Sequence, residues 1–541
     1  MPALSAFCGV PLYCDAGLYP GVSDVVADEK DENSPGRGEE RRCPGEKYSI
    51  TPAICRARQR NHYPKCLLCK WHDLQNDYNV QSDPKVKTDI FRNTCVAGQY
   101  PSEVNEHVVR KVGAAVAQLL RAGTTSPGSV AVTYDMRASS RGLSRALGEG
   151  INHGGLHALN AGIAPEEVLH FVMGTEECAG GIHVSAGNRR DGVNGLRIFH
   201  QDGSRMHFSN GLDKVGLIAR RLKSGRSRVQ GERGFADPLD DYRSYVLKFA
   251  PGLGHLRVAA DASCGVMSRT LPFVFRELPV DLLTSHFDSE RYKEFLGQRF
   301  PSEELKSHMK KGMRRANVDL GAAFDFAGDR VAFFDENGDM VRNDAIAAMV
   351  ASELLHRHQG GRVIYDLRCS AALREQILKA DGQPLSCPTG TTAVASQVRQ
   401  KDALYGTDGT GRHFFREFFR SNSPTVALLL VCSYLNRNET SLSAFNRRFT
   451  KYSHSGELRI KMPSQKVAEN ALEKLKVEFK DADRDLLDGL TVRLKGWWFN
   501  LRRRPNSAEL RLNVEGRSDA ELRRGREKIV SRIKDAAGVS S

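Results

Sequence analysis

From residue 89 onward, short apolar runs alternate with longer stretches whose apolar residues recur with the spacing of one helical face. Strands of period two exchanging with helices of period 3.6 predict α/β domains with mixed sheets. Over residues 103–120, Val104, Val108, Val109, Val112, Ala115, Val116 and Leu119 share a helical face, and the SVAVTYD run after them reads as a strand. A helix over residues 143–151 follows. The unit returns twice: HLRVAADAS precedes a helix over residues 271–278, and GRVIYDLRCS precedes one over residues 371–378. Three such units point to triplication. Residues 451–541 differ, because the strands GELRIKM, LTVRLKG, WWFNLR and ELRLNVEG outnumber helices over 466–479 and 519–536. That pattern predicts an α+β domain with its own core.

The first 86 residues follow another logic. Residues 22–42 are charged and almost free of large apolar side chains, so they cannot recover the entropy of ordering and are expected to be mobile. Behind them lie Cys43, Cys55, Cys66 and Cys69, the last two as a Cys-x-x-Cys knuckle. Four thiolates can hold a tetrahedral zinc ion, although the wider spacings match no established zinc motif. Unrelated reduced thiols, an iron–sulfur site and disulfides stay open as readings.

Composition narrows the partners. The chain has 541 residues, 40% of them hydrophobic, enough for several cores. Its longest apolar stretch, residues 425–432, is far short of the roughly 20 residues that span a bilayer, and no membrane partner is expected. The start, MPALSAFCGVPLYC, lacks the basic region of a signal peptide, which makes the cytoplasm the expected location. Lys and Arg exceed Asp and Glu by 79 − 65 = +14, a balance that favours anionic partners or simply solvated basic faces.

Several segments resemble the phosphohexomutase family, the phosphomannomutase/phosphoglucomutase type, and they occur in the family's order from about residue 91 to 533. FRNTCVAG is similar to its opening motif, VTYDMRASSRGL to its Asp-x-Arg-x-Ser-Ser turn, and GGIHVSAGNRRDGVNGLRIF to its active-serine region. AAFDFAGDRVAFFDENGDMV resembles the metal loop, IYDLRCSAAL and DALYGTDGTGRHFF the sugar-binding third domain, and WWFNLRRRPNSAELRLNVE the phosphate-binding fourth. The resemblance implies three related α/β domains and a smaller α+β domain around a central cleft. Boundaries follow at 1–86 for the Cys-rich extension, then 87–228, 229–341, 342–450 and 451–541 for domains I to IV.

The same alignment implies missing chemistry. Such a mutase needs a phosphorylated serine, and its position is taken by Gly187, with Asn188 after it and Ser185 two residues before as a weak substitute. In the metal loop Asp325 and Asp329 remain but Ala327 stands between them, leaving an incomplete oxygen set for magnesium. The plainer role for these two aspartates is to cap turns and pair with Arg330. Thr391 and Ala395 occupy the positions of the family's acid–base histidine and lysine, and neither can shuttle a proton. Cys95 and Ala97 replace an aspartate and an arginine of the opening motif, and a family helix before Gly180 is reduced to Cys178 and Ala179. The best surviving contacts for a ligand are Asp408, Thr410 and Arg412 in the sugar loop, with Arg502, Arg503, Arg504 and Arg511 in the phosphate loop.

The expectation is therefore a catalytically degenerate member of that family, a binding or scaffolding module for a hexose phosphate or a protein partner. Two rivals stand beside it. One is an active mutase with relocated catalytic groups; the other is a nucleic-acid-associated zinc protein, whose support is only the charge and the cysteines.

Overall fold

The computed structural model describes residues 42–43, 46–51, 54–55, 58, 85–121, 128–222, 231–504 and 507–538. Cys66, Cys69 and, apart from Arg42, the leader expected to be mobile lie outside these residues. The chain forms two units, one of them residues 11–84. In that smaller unit Cys43 and Cys55 are buried together with Ile50, and the Arg58 guanidinium lies 3.3 Å from Cys43 Sγ.

The larger unit holds four sheets. The first contains β1 (Val96–Gln99), β2 (Ser129–Tyr134), β3 (His157–Ile163), β4 (Gly180–Val184), β5 (Val193–His200) and β6 (Arg233–Phe235), in the order β1-β5-β4-β2-β3-β6. Its edge strand β6 lies just past residue 228. The second comprises β7 (Leu256–Asp261), β8 (Val280–Ser285), β9 (Leu320–Phe324) and β10 (Val331–Phe334), ordered β10-β9-β7-β8. The third has β11 (Arg362–Asp366), β12 (Gln383–Cys387), β13 (Tyr405–Thr407), β14 (His413–Phe415) and β15 (Ser421–Asn422), ordered β12-β11-β13-β14-β15.

These three sheets share one plan. A central strand pairs in parallel with its successor on one side and with the third strand on the other, and that third strand turns back as an antiparallel hairpin. Triplication, expected from the repeated strand–helix pattern, is thus present in the topology. The hairpin tips β4–β5, β9–β10 and β13–β14 are the three segments that the sequence singled out as serine, metal and sugar loops.

The fourth sheet is antiparallel, with β16 (Ser453–His454), β17 (Leu458–Lys461), β18 (Asp483–Asp485), β19 (Leu490–Leu494), β20 (Trp497–Arg503) and β21 (Glu509–Gly516). Helices Gln465–Glu478 and Asp519–Ala537 cover it around a separate core that includes Leu475, Phe499, Leu512 and Ile533. The fourth domain is α+β, as its strand-rich pattern indicated.

Local sequence explains how these elements lock. Helix Glu106–Arg121 buries Val108, Val109, Val112, Ala115 and Val116, and Asn105 Oδ1 caps it by accepting the Val108 N–H at 3.1 Å. It packs on helix Ser140–His153 so closely that a Cβ at Gly150 would run into the Arg110 carbonyl. One continuous core joins domains I, II and III through helices Asn343–Arg357 and Pro424–Asn438. The apolar stretch 425–432 is the buried centre of the latter helix. Among the described residues no helix is long and apolar enough to cross a membrane.

Candidate functional site

The serine loop is built as a tight, self-bonded turn. Ser185 is 1% exposed, and its Oγ accepts the Gly187 N–H at 2.9 Å. Gly187 has a φ of +64°, a conformation that favours glycine. Arg137 Nη2 donates to the carbonyls of Gly187 at 2.7 Å and Arg189 at 2.9 Å, while its other end pairs with Asp135. The loop's hydroxyl is therefore taken up by its own backbone and by the buried Asp135 carboxylate. Both terminal nitrogens of Arg189 lie 3.6 Å from the Cys95 thiol, at one of the altered positions of the opening motif.

A side chain absent from the sequence reading dominates the centre. Arg197, on β5, places Nη1 2.7 Å from Asp329 Oδ1 and 2.7 Å from Glu166 Oε2. Its Nη2 fills the space beside Gly187, so that a Cβ on residue 187 would fall under 3.0 Å from it. Arg205 completes the cluster, donating to Glu166 Oε2 at 2.7 Å and Oε1 at 3.0 Å. Burial alone would raise the Asp329 carboxyl, but Arg197 and Arg412 hold it well below the usual carboxylate range. Glu166 is likewise lowered against its burial, by Arg205 and Arg197.

This overturns one pairing. Asp329 pairs with Arg197 of domain I, not with its neighbour Arg330. The turn-capping role is present: Asp325 Oδ1 accepts the N–H groups of Asp329 at 2.7 Å and Arg330 at 3.2 Å, and its Oδ2 accepts from Asn188 Nδ2 at 3.0 Å. Burial and the neighbouring Asp329 carboxylate push Asp325 up. With Ala327 contributing no oxygen, Asp325 spent on three N–H donors and Asp329 on a guanidinium, this donor set does not fit an octahedral magnesium ion.

The sugar loop is also turned inward. Asp408 Oδ1 accepts from the Thr410 N–H at 2.9 Å and its hydroxyl at 2.7 Å, and Asp408 Oδ2 accepts from the Thr391 hydroxyl at 2.8 Å. Arg412 lies between two carboxylates, 3.5 Å from Asp408 and 3.6 Å from Asp329. Burial opposes it, yet Arg412 and Arg368 hold Asp408 down at about 2.

At the fourth loop the signs reverse. Arg502 and Arg511, adjacent on β20 and β21, both grip Glu457; the Arg511 contact is 2.5 Å. Arg502 Nε also donates to Thr389 Oγ1 at 2.8 Å, and Thr389 in turn donates to Asp488 Oδ2 at 2.6 Å. Arg503 and Arg504 do not join them at Glu457. Arg503 reaches the exposed Glu469 at 3.6 Å, and Arg504 lies 3.8 Å from Glu509, a largely buried carboxylate that Arg511 also contacts at 2.5 Å. Of the four arginines expected together, Arg502 and Arg511 share Glu457 and Arg504 and Arg511 share Glu509, while Arg503 stands apart because side chains alternate across a strand. Residues 505–506 lie outside the described set.

Asn188 to Asp325 and Arg412 to Asp329 link three of the tips directly, Arg197 reaches Asp329 from within β5, and Arg502 reaches Thr389 in the loop after β12. Three α/β domains of one topology and an α+β fourth, meeting at their hairpin tips, define a four-domain α/β protein centred on a shared loop site. A cavity of about 260 Å³ lined by Leu159, Phe171, Thr175, Phe235 and Asp241 shares none of these residues.

Comparison with known proteins agrees. Residues 88–211 match phosphoglucomutase/phosphomannomutase α/β/α domain I, and residues 342–452 match α/β/α domain III. A phosphomannomutase from Vibrio cholerae is 24% identical over 451 residues, which cover 80% of this chain and 95% of the relative. Phosphohexose mutases from Xanthomonas campestris are 27% identical over 459 residues, covering 82% and 98%. The solved structure of a phosphoglucomutase/phosphomannomutase family protein from Burkholderia thailandensis has the same fold, with a TM-score of 0.72 at 23% identity, covering 83% of this chain and 98% of that one. Two segments of the chain thus match phosphoglucomutase/phosphomannomutase domains, and about four fifths of it is similar to curated phosphohexomutases.

Arg197, Glu166 and Glu457 are the site residues that sequence reasoning missed. For Arg197 a signal existed. It is the one charged residue in VNGLRIF, an otherwise buried strand, and an arginine there requires a buried acid opposite. Glu457 carries no such mark in GEL.

Proposed function

We propose that this chain is a phosphohexomutase-family protein that has lost phosphoryl transfer and uses its domain tips as a binding module for an anionic phosphosugar. The observation that carries this reading is the Arg197 guanidinium, packed beside Gly187 and bonded to Asp329. The alignment assigns phosphoserine to the first of these places and a metal ligand to the second. A guanidinium supplies positive charge but has neither an oxygen to phosphorylate nor a site for a displacement. The family's acid–base positions offer no proton carrier either, since Thr391 and Ala395 stand there. Two histidines on the loop-bearing strands, His183 and His413, are fully buried, and burial pushes both down to about 4, while His200 ends β5 at the far end from the loop.

Binding is a different matter. Glu457 has a side-chain exposure of 26%, so an incoming phosphate could exchange with it on Arg502 and Arg511, as an arginine fork suits phosphate bidentately. The family names of the relatives, phosphomannomutase and phosphohexose mutase, make a hexose phosphate the ligand to test.

The experiment has two arms. After incubation with a hexose 1,6-bisphosphate, intact-mass analysis should show no added phosphate. Stoichiometric phosphorylation of Ser185 or of any residue in the loop 185–190 would overturn the reading. A thermal-shift screen of hexose phosphates, with and without magnesium, should find a stabilising ligand whose effect is unchanged by the metal, since saturation at 100 times Kd is worth about 2.7 kcal/mol.

A further inference from the structure

Domain II carries a second cluster that the loop site does not use. Asp261 ends β7 and Ser285 ends β8, side by side in parallel register. His286 follows at once, in a left-handed conformation with φ of +51°, and His308 reaches over from helix Glu303–Ala316. Asp261 has no solvent exposure. Its Oδ1 accepts the Ser263 N–H at 2.9 Å and its Oδ2 lies 2.6 Å from His286 Nδ1. His308 Nε2 is 2.6 Å from the Ser285 hydroxyl, and the two imidazole rings are 4.5 Å apart between centroids. One ligand atom from each of Asp261, His286 and His308 lies within 4.8 Å of the other two.

We propose that Asp261, His286 and His308 form a zinc-binding site in domain II, separate from the residual magnesium loop and from the N-terminal cysteines. A carboxylate removed from water needs a positive counterpart, and a divalent ion shared with two imidazoles supplies it. The donor type selects the metal. Two nitrogens and one oxygen suit zinc, whereas magnesium and calcium prefer all-oxygen sets. Bonds of about 2.0–2.1 Å to a tetrahedral ion place ligand atoms roughly 3.3 Å apart, so the cluster must contract by no more than about 1.5 Å. His308 can make that movement by rotating from the Ser285 hydroxyl to the ion. Three protein ligands leave a fourth position for water or an added ligand, reached through the partly exposed His286 ring. The site also has a structural outlet. Ser263, beside Asp261, donates to the Phe324 carbonyl at 2.7 Å, immediately before Asp325.

The test uses the full-length chain in a Cys66→Ser, Cys69→Ser background, which disables the N-terminal candidate and leaves domain II untouched. After stripping with a chelator, reconstitution with zinc and removal of excess, elemental analysis should find one zinc per chain. Cobalt should bind without thiolate charge-transfer absorption. Adding His286→Asn, an exchange that tolerates the left-handed backbone, and His308→Gln should abolish this zinc. It should also abolish the zinc-dependent rise in melting temperature, read for each protein against its own metal-free melt. Either single change should weaken zinc by at least the roughly 10–100-fold that losing an outer-shell partner costs. A cysteine-substituted, folded protein that retains no zinc would overturn the proposal, and so would zinc content unchanged by the paired histidine substitutions.

Discussion

The domain I–II tip and the domain IV tip have solved opposite electrostatic problems with the protein's own side chains. At the first, the carboxylates Glu166 and Asp329 are held by Arg197, and the three side chains are exposed by only 7–12%. At the second, the guanidinium groups of Arg502 and Arg511 are held by Glu457 in a partly solvated setting. A resident cation stands where the family alignment implies a metal, and a resident anion stands where it implies a phosphate. Burial separates their consequences. Removing a partner from the dry cluster leaves an uncompensated charge, whereas Glu457 can be exchanged because water can rehydrate it.

The largest expected effect follows from the dry side. Arg197→Ala should lower stability by about 3–5 kcal/mol near neutral pH, measured by chemical denaturation. The pH dependence has a defined sign. Glu166 and Asp329 have folded-state values depressed below ordinary carboxylates, so their contribution is full above the unfolded values near 4 and is lost as pH falls through the folded ones. In Arg197→Ala, Glu166 keeps Arg205 and Asp329 keeps the more distant Arg412, but burial raises both groups relative to the parent protein and protonation relieves part of their penalty. The gap between the two proteins should therefore narrow on acidification. A gap constant from pH 7 to about pH 4 would mean that the cluster is not electrostatic.

Restoring the hydroxyl alone should not restore chemistry. Gly187→Ser places a Cβ against a guanidinium fixed by two carboxylates and forces a non-glycine residue to a φ of +64°. A loss of roughly 1–3 kcal/mol is expected, with no phosphate on the protein after hexose bisphosphate treatment. Efficient phosphorylation of this variant would show that Arg197 yields readily, and the contrast between the two regions would collapse.

These effects also mark what the sequence made legible. The triplicated domains, the α+β fourth and the order of the loops were readable because each rests on local periodicity or contiguous motifs. The destinations of the arginines were not. Arg412 was expected to face a ligand, but it lies between Asp408, four residues away, and Asp329, from another domain. Its neutralisation depends on how two hairpin tips meet, which no local pattern encodes. Arg502 and Arg511 stand opposite each other on β20 and β21, yet the carboxylate that grips them both enters from the chain before β17.

On the partly solvated side the expected effects are smaller. Glu457→Gln should remove the one carboxylate that Arg502 and Arg511 share, leaving Arg511 to Glu509 and Arg502 to Thr389 and Asp488. It should tighten inorganic phosphate, or a hexose phosphate found by thermal shift, by about tenfold, or about 1.4 kcal/mol. Isothermal titration measures it. Weaker binding in this variant would mean that Glu457 orients the arginines for the ligand instead of competing with it.

The smallest effect tests the alternation along β20. Arg502 and Arg503 are neighbours in sequence but sit on opposite faces of the strand, and Arg503 has only an exposed partner, Glu469, at 3.6 Å. Exposed ion pairs contribute about 0–1 kcal/mol, so Arg503→Ala should change stability by no more than about 0.5 kcal/mol and leave phosphate affinity unaltered. Arg502→Ala removes a fork that reaches both Glu457 and Thr389, and should cost about tenfold or more in affinity, as charge-assisted hydrogen bonds contribute about 1.5–3 kcal/mol. Isothermal titration of both variants separates the two faces of one strand. Equal losses would place the anion outside the Arg502–Arg511 pair and make the basic loop a diffuse attractor, whose affinity should then fall steeply with added salt.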